Sequence, residues 1–203
     1  MGILSENKIR AEELSRYSRL CYERGLVGAA GGNLSVRATG QDAFLVTASG
    51  VSLRDVSPEN IVVINGEGKI LDGPAGLRPS KEIGFHVAIY LERPEVRAVI
   101  HVHPPFATAF SAKAALIPPA TVSAKLKLKQ GPLVLEANPG STELTERVIE
   151  ALRNSSEETS VLLMERHGLV SFKGDLCEAF NDAELAEDTA KVAMLSSRPE
   201  AGH

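Results

Sequence analysis

The chain has 203 residues, of which 43% are apolar and 24% charged, proportions that can bury a core and exclude a disordered or fibrous chain. With 22 basic against 26 acidic residues the formal charge is −4. That balance excludes a basic field able to hold nucleic acid, so any phosphate must be held by local groups.

Between 5 and 24, Leu14, Tyr17 and Cys21 recur at helical spacing, and Gly25 stands where a left-handed residue ends a helix. Beyond the glycine-rich stretch GAAGGN, short apolar runs at 34–37 and 43–48 predict strands. Two more, at 61–64 and 69–71, flank Asn65-Gly66-Glu67-Gly68, a hairpin signal. Ile83, Val87, Tyr90 and Leu91 then fall at i, i+4, i+7 and i+8 between two prolines. This predicts an amphipathic helix with Ser80 as N-cap and Glu82 in its first turn. The run RAVIHVH at 97–103 predicts a strand, stopped by Pro104-Pro105, which suit the opening of a helix around 106–113.

Further on, Lys125, Lys127 and Lys129 alternate as on a strand, and another strand is predicted at 132–136. Leu144, Val148 and Leu152 give a helix after Gly140-Ser141-Thr142. Strands at 161–164 and 169–172 surround Arg166-His167-Gly168. Asp175 can cap a last helix, along which Leu176, Ala179, Ala183, Ala186, Ala190 and Ala193 form a small-residue seam, fit for core packing or for close approach by another element. No composition shift marks a boundary, so one domain over 1–203 is expected. Cys21 and Cys177 lie far apart without CxxC spacing, which suggests neither a disulfide framework nor a cysteine zinc site and fits a reducing cytoplasm. No signal peptide or membrane partner is expected, because no apolar run approaches the ~20 residues that span a bilayer.

The chemistry-bearing residues fall into two groups. His101 and His103 are two apart on a predicted strand, so both imidazoles point the same way and can chelate one metal, although a lone His-x-His pair also suits a solvated strand face. His167 lies in a tight turn that can present it at a sheet rim, whereas His86 falls on the apolar side of its helix and reads as a packing residue. Three neutral imidazoles plus an open position make a catalytic zinc site, with a nearby carboxylate as fourth ligand or base. Glu82 is the candidate carboxylate, and a glutamate merely stabilised by a helix N-terminus is the plainer reading. The second group comprises Gly31 to Ser35, Thr47 to Gly50 and Pro79 to Lys81, whose turn N–H groups and hydroxyls can cradle a phosphate.

Taken in order, GGNLS at 31–35, TASG at 47–50, PSKE at 79–82, HVHP at 101–104 and RHGLV at 166–170 resemble the class II aldolase/adducin family over nearly the whole chain. The resemblance implies an α/β fold, three-layer α/β/α with a central mostly antiparallel sheet, and a homotetramer with active sites at subunit interfaces. It implies that His101, His103 and His167 ligate one Zn2+ per subunit, with Mn2+ or Co2+ able to take the same ligands. Glu82 matches the acid/base glutamate, which can also ligate the metal. Gly32, Asn33, Ser49, Gly50 and Ser80 match positions that bind the substrate phosphate. Lys81 replaces the serine usual in the aldolases and can add charge at the phosphate or meet a substrate carboxylate.

The implied activity is retro-aldol cleavage of a ketose 1-phosphate of the L-fuculose-1-phosphate kind to dihydroxyacetone phosphate and a small aldehyde. Zinc would act as Lewis acid and Glu82 would handle the proton. The PSKE form also resembles members that decarboxylate 3-oxo-tetronate 4-phosphates. Epimerisation of a sugar phosphate, dehydration of a methylthioribulose phosphate and an adducin-like scaffold without catalysis are the other family readings. The fuculose-phosphate aldolases use a tyrosine after HxHP and another near the C-terminus. Here the only tyrosines are Tyr17, Tyr22 and Tyr90.

Overall fold

The computed structural model describes residues 2–197. In chain order the elements are α1 (Ile3–Glu6), α2 (Lys8–Glu23), β1 (Asn33–Arg37), β2 (Phe44–Thr47), β3 (Ile61–Ile64) and β4 (Ile70–Asp72). There follow α3 (Ile83–Glu92), β5 (Ala98–Val102), α4 (Pro105–Ser111), α5 (Val122–Lys127), α6 (Thr142–Arg153), β6 (Val161–Met164), β7 (Gly168–Lys173) and α7 (Leu176–Ser196). The strands form one sheet in the order β4-β3-β2-β1-β5-β7-β6, and every neighbouring pair is antiparallel.

Side-chain alternation along these strands splits the core into two layers. On one face Leu34, Val36, Ile100, Val102 and Leu169 pack with Leu14 of α2 and Ala179, Ala183, Ala186 and Ala190 of α7. On the other, Val46, Val62, Val99, Val170 and Phe172 pack with Phe85 and Ile89 of α3 and Leu144 and Val148 of α6. The result is the expected α/β/α sandwich with an antiparallel centre. β5 pairs with β1 on one side and β7 on the other, which places the His-x-His strand in the middle of the sheet.

Local chemistry explains the boundaries. α2 stops at Gly25, whose φ of +71° lets Leu26 N–H return to the Cys21 carbonyl at 2.9 Å. The β3–β4 turn is held by Asn65, whose side-chain oxygen accepts from Glu67 and Lys69 N–H at 3.0 and 2.9 Å. Asp175 caps α7 through Glu178 N–H, as its position suggests. The alanine seam lies in the core. Beside it, Glu187 of α7 accepts from the Phe106 and Ala107 N–H groups at 3.0 and 2.8 Å, which ties the start of α4 to the last helix.

Three expectations are corrected. The stretch 132–136 is not a strand: its one bridge to β6, parallel, joins Val134 to Met164, another joins Gln130 just before it to Val161, and Pro132 between them has no N–H to extend a ladder. Lys125 and Lys127 lie on α5, which Thr121 caps by accepting from Ala124 N–H at 3.0 Å, so helix formation overrides their alternation. α3 begins two residues later than expected. Glu82 occupies its N-cap, and the Ser80 hydroxyl instead accepts from Glu82 N–H at 3.3 Å. Among the described residues no helix is long and apolar enough to cross a membrane.

Candidate active site

Period-two alternation puts His101 of β5 on the α3 side of the sheet, opposite Asn33 on β1 and Val170 on β7. His103 follows one step beyond the end of β5. His167 sits in the β6–β7 turn, where Arg166 adopts φ +56° and Gly168 φ +150°, and its N–H returns to the Met164 carbonyl at 3.0 Å. An added Cβ on Gly168 would collide with the Val102 carbonyl oxygen, so only glycine lets the turn close against β5.

These placements bring Glu82, His101, His103 and His167 together, with one donor atom from each lying within 4.8 Å of all the others. Glu82 Oε1 is 3.0 Å from His167 Nε2, Glu82 Oε2 is 3.4 Å from His101 Nε2, and the Nε2 atoms of His101 and His103 are 2.9 Å apart. His101 Nδ1 lies 2.9 Å from the Leu169 carbonyl, which can only accept, so Nδ1 carries the proton and Nε2 presents its lone pair to the cluster. Burial, aided by His101 and His167, pushes the His103 pKa down from 6.5 to about 4 and keeps that ring neutral. Burial alone would raise the Glu82 carboxyl, but the adjacent His101 and His167 outweigh it and hold it below the usual carboxylate range. An ionised carboxylate and converging imidazole lone pairs suit a divalent cation of borderline softness.

Gly32, Asn33, Ser49, Gly50, Ser80 and Lys81 line one cleft of about 220 Å³ that also includes Glu82 and His103 in its wall. The two residue groups singled out in the sequence therefore meet at one place. A larger hollow of about 470 Å³ between Leu133 and Arg147 contains none of these residues. Gly32 has φ +74°, and a Cβ there would stand 2.9 Å from the His101 carbonyl oxygen. Gly32→Ala is therefore expected to cost about 2 kcal/mol of stability, from the left-handed backbone and the contact together. Urea unfolding reads this, and an unchanged midpoint would show the loop relaxes freely.

Three sets of contacts escaped the sequence reading. Gly31 lies against His103, such that a Cβ would be 2.9 Å from Nδ1. Gly140 has φ +75° and seats on the Lys81 carbonyl, where a Cβ would be 2.8 Å away, so the turn NPGS carried a signal beyond a helix start. Under α3, His86 Nδ1, Ser35 Oγ and Tyr90 OH form a buried chain with contacts of 2.8 and 2.9 Å.

His86 is wholly enclosed, and burial, then the nearby His101, push its pKa down from 6.5 to about 3. The folded state thus binds fewer protons than the unfolded chain between those values, and stability is lost as pH falls through that window. From about pH 7.5 to about pH 4.5 this group should remove roughly 2 to 3 kcal/mol. Urea titrations of wild type and His86→Gln at both pH values test this; equal acid losses in the two proteins would discharge His86 from the role.

A family model described as Class II Aldolase and Adducin N-terminal domain matches residues 12–194. The chain belongs to the class II aldolase and adducin family. Among its class II aldolase relatives, the 3-oxo-tetronate 4-phosphate decarboxylase of Haemophilus influenzae is 34% identical over 186 residues, covering 89% of this chain and 85% of that protein. The L-fuculose phosphate aldolase of Methanococcus maripaludis is 31% identical over 183 residues, covering 90% and 95% respectively. The crystal structure of L-fuculose-1-phosphate aldolase from Thermus thermophilus matches with a TM-score of 0.76 at 27% identity, covering 92% of this chain and 95% of that one. A 3-oxo-tetronate 4-phosphate decarboxylase and an L-fuculose phosphate aldolase thus both stand among its relatives.

Proposed function

We propose that the protein is a zinc-dependent carbon–carbon lyase acting on a small phosphorylated sugar. The observation that carries this reading is the convergence of Glu82 with three imidazoles at the wall of the glycine and serine cleft. His101, His103 and His167 would hold the metal, with Glu82 as a further ligand before substrate arrives. When bound, the cation supplies Lewis-acid charge for the substrate oxygen on which the electron pair of the broken bond collects. Gly32, Asn33, Ser49, Gly50 and Ser80 bind and orient the phosphate, and these contacts are the same before and after bond cleavage. Glu82, ionised at rest, passes a proton drawn from water to the carbon from which the departing group has left.

The departing group we assign is carbon dioxide from a 3-oxo-tetronate 4-phosphate. Lys81 lines the cleft beside Glu82 and offers a cation to a substrate carboxylate. No phenol is at hand to serve an aldehyde, since none of the three tyrosines lines the cleft and Tyr90 is buried. In that reaction the C1–C2 bond breaks, the electron pair moves to the C3 oxygen, and protonation at C2 yields dihydroxyacetone phosphate. The second reading is retro-aldol cleavage of a ketose 1-phosphate, favoured by the 31% identical fuculose phosphate aldolase, 95% of whose length is matched.

Both routes release dihydroxyacetone phosphate, so a coupled assay for it detects either one. Carbon dioxide in equal amount without aldehyde supports decarboxylation, aldehyde without carbon dioxide supports the aldolase, and zinc-loaded protein that releases neither refutes the lyase. We further place the protein in the cytoplasm as a homotetramer with active sites at subunit boundaries. Light scattering tests that assembly, and a monomer mass would reject it.

A further inference from the structure

We propose that Asn33 is the positioning residue for Glu82, holding the carboxylate in place from the start of β1 in addition to any contact it makes with an anion. This rests on the reading above only in that Glu82 is taken to matter for metal and proton. Asn33 opens β1 directly opposite His101 in the β1–β5 register, and it is 4% exposed although it forms part of the cleft wall. Its Nδ2 donates to Glu82 Oε2 at 2.9 Å, the same oxygen that lies 3.4 Å from His101 Nε2.

The amide orientation follows from charge. Turned over, Asn33 would set its own carbonyl oxygen against a carboxylate oxygen, so the NH2 must face Glu82. In this orientation Oδ1 is buried without any donor. The orphan is explained if keeping an N–H on Glu82 takes precedence.

No other cleft residue does this job. The Ser80 hydroxyl meets the backbone N–H of Glu82, not its carboxylate. The second N–H of the Asn33 amide remains available to an anion, so one NH2 group can join phosphate and carboxylate without a charged side chain between them. Since β1 is paired with β5 from Asn33 itself and with β2 from Ser35 onward, the position of that group is set by the sheet and not by a loop.

The test is a double-mutant cycle read in cobalt-substituted protein, with Asn33→Ala, Glu82→Gln and the double variant. Removal of a group that orients a ligand typically weakens metal binding 10- to 100-fold. Asn33→Ala is expected to weaken cobalt binding by roughly tenfold and to shift the visible cobalt spectrum toward that of Glu82→Gln, while adding nothing further in the Glu82→Gln background. Asn33→Asp, which keeps the shape but turns the donor into a charge facing Glu82, should show the larger loss. An unchanged cobalt affinity and spectrum would confine Asn33 to the anion, and an equal loss in both backgrounds would mark general damage; either overturns the proposal.

A metal-free arm keeps this separate from the lyase reading. In a crystal structure of metal-free Asn33→Ala, Glu82 Oε2 is expected to leave its place beside His101. A carboxylate that has not moved refutes the positioning role even if the protein proves to be a lyase, and a displaced one upholds it even if it is not.

Discussion

Replacing His101 with alanine is expected to remove bound metal and turnover together. His101 is fully buried at the centre of the cluster, 2.9 Å from His103 Nε2 and 3.4 Å from Glu82 Oε2, and its Nδ1 is committed to the Leu169 carbonyl. The substitution leaves His103 and His167 without the imidazole that stands between His103 and the carboxylate. It also strands the Leu169 acceptor inside the sheet. Lewis-acid stabilisation is worth several kcal/mol, and each ~1.4 kcal/mol is tenfold in rate, so turnover should fall by at least about a thousandfold. Metal content by mass spectrometry should drop from near one per chain in parallel. Stoichiometric metal retained in a folded His101→Ala protein would mean that the cluster is not the metal site.

Glu82→Gln should separate the two properties that His101→Ala removes together. The amide keeps the side chain's size and reach, and three imidazoles remain, so much of the metal is expected to stay. The side chain can no longer give or take the proton, and general acid–base catalysis contributes roughly 10²- to 10⁴-fold, so turnover should fall within that range. Measured side by side, metal content near wild type with turnover reduced at least about a hundredfold is the expected pattern. Near-normal turnover would assign the proton to another group, and loss of metal would make Glu82 chiefly a ligand.

Legibility in the sequence followed the range of the interaction. The His-x-His pair could be read because a strand repeats every two residues, so spacing alone put His101 and His103 on one side. His167 could be read because Gly168 marks a turn. The helix boundaries could be read where a single side chain decides them, as at Gly25 and Asp175. By contrast, alternation misled at Lys125 and Lys127, since a run of exposed lysines carries no buried face by which strand and helix differ. Pro132 made 132–136 a neighbour of the sheet and not a member.

The site was legible as a set of residue types but not as a set of contacts. Asn33 and Glu82 are 49 positions apart, and His101 and Leu169 are 68 apart, so no local pattern encodes either hydrogen bond. The first arises where the start of α3 is laid over β1, and the second from the pairing of β5 with β7. The same holds for Gly31 and Gly140, whose close approaches to His103 and Lys81 depend on segments that meet only after the sheet has formed.

The central position of β5 governs how the site comes apart. Each of its residues from Ala98 to Val102 is paired with β7, and four residues of β1 pair on the other side, including Asn33 with His101. Amide protons in such a strand are expected to exchange with solvent only when the sheet opens, so local fraying leaves His101 in place. Emptying and refilling the site therefore requires no refolding, unlike small zinc domains in which the metal organises the chain. On the proposed reading the four side chains wait in place, and a metal would be captured at a rate set by access through the cleft and not by the slow gathering of strands distant in sequence.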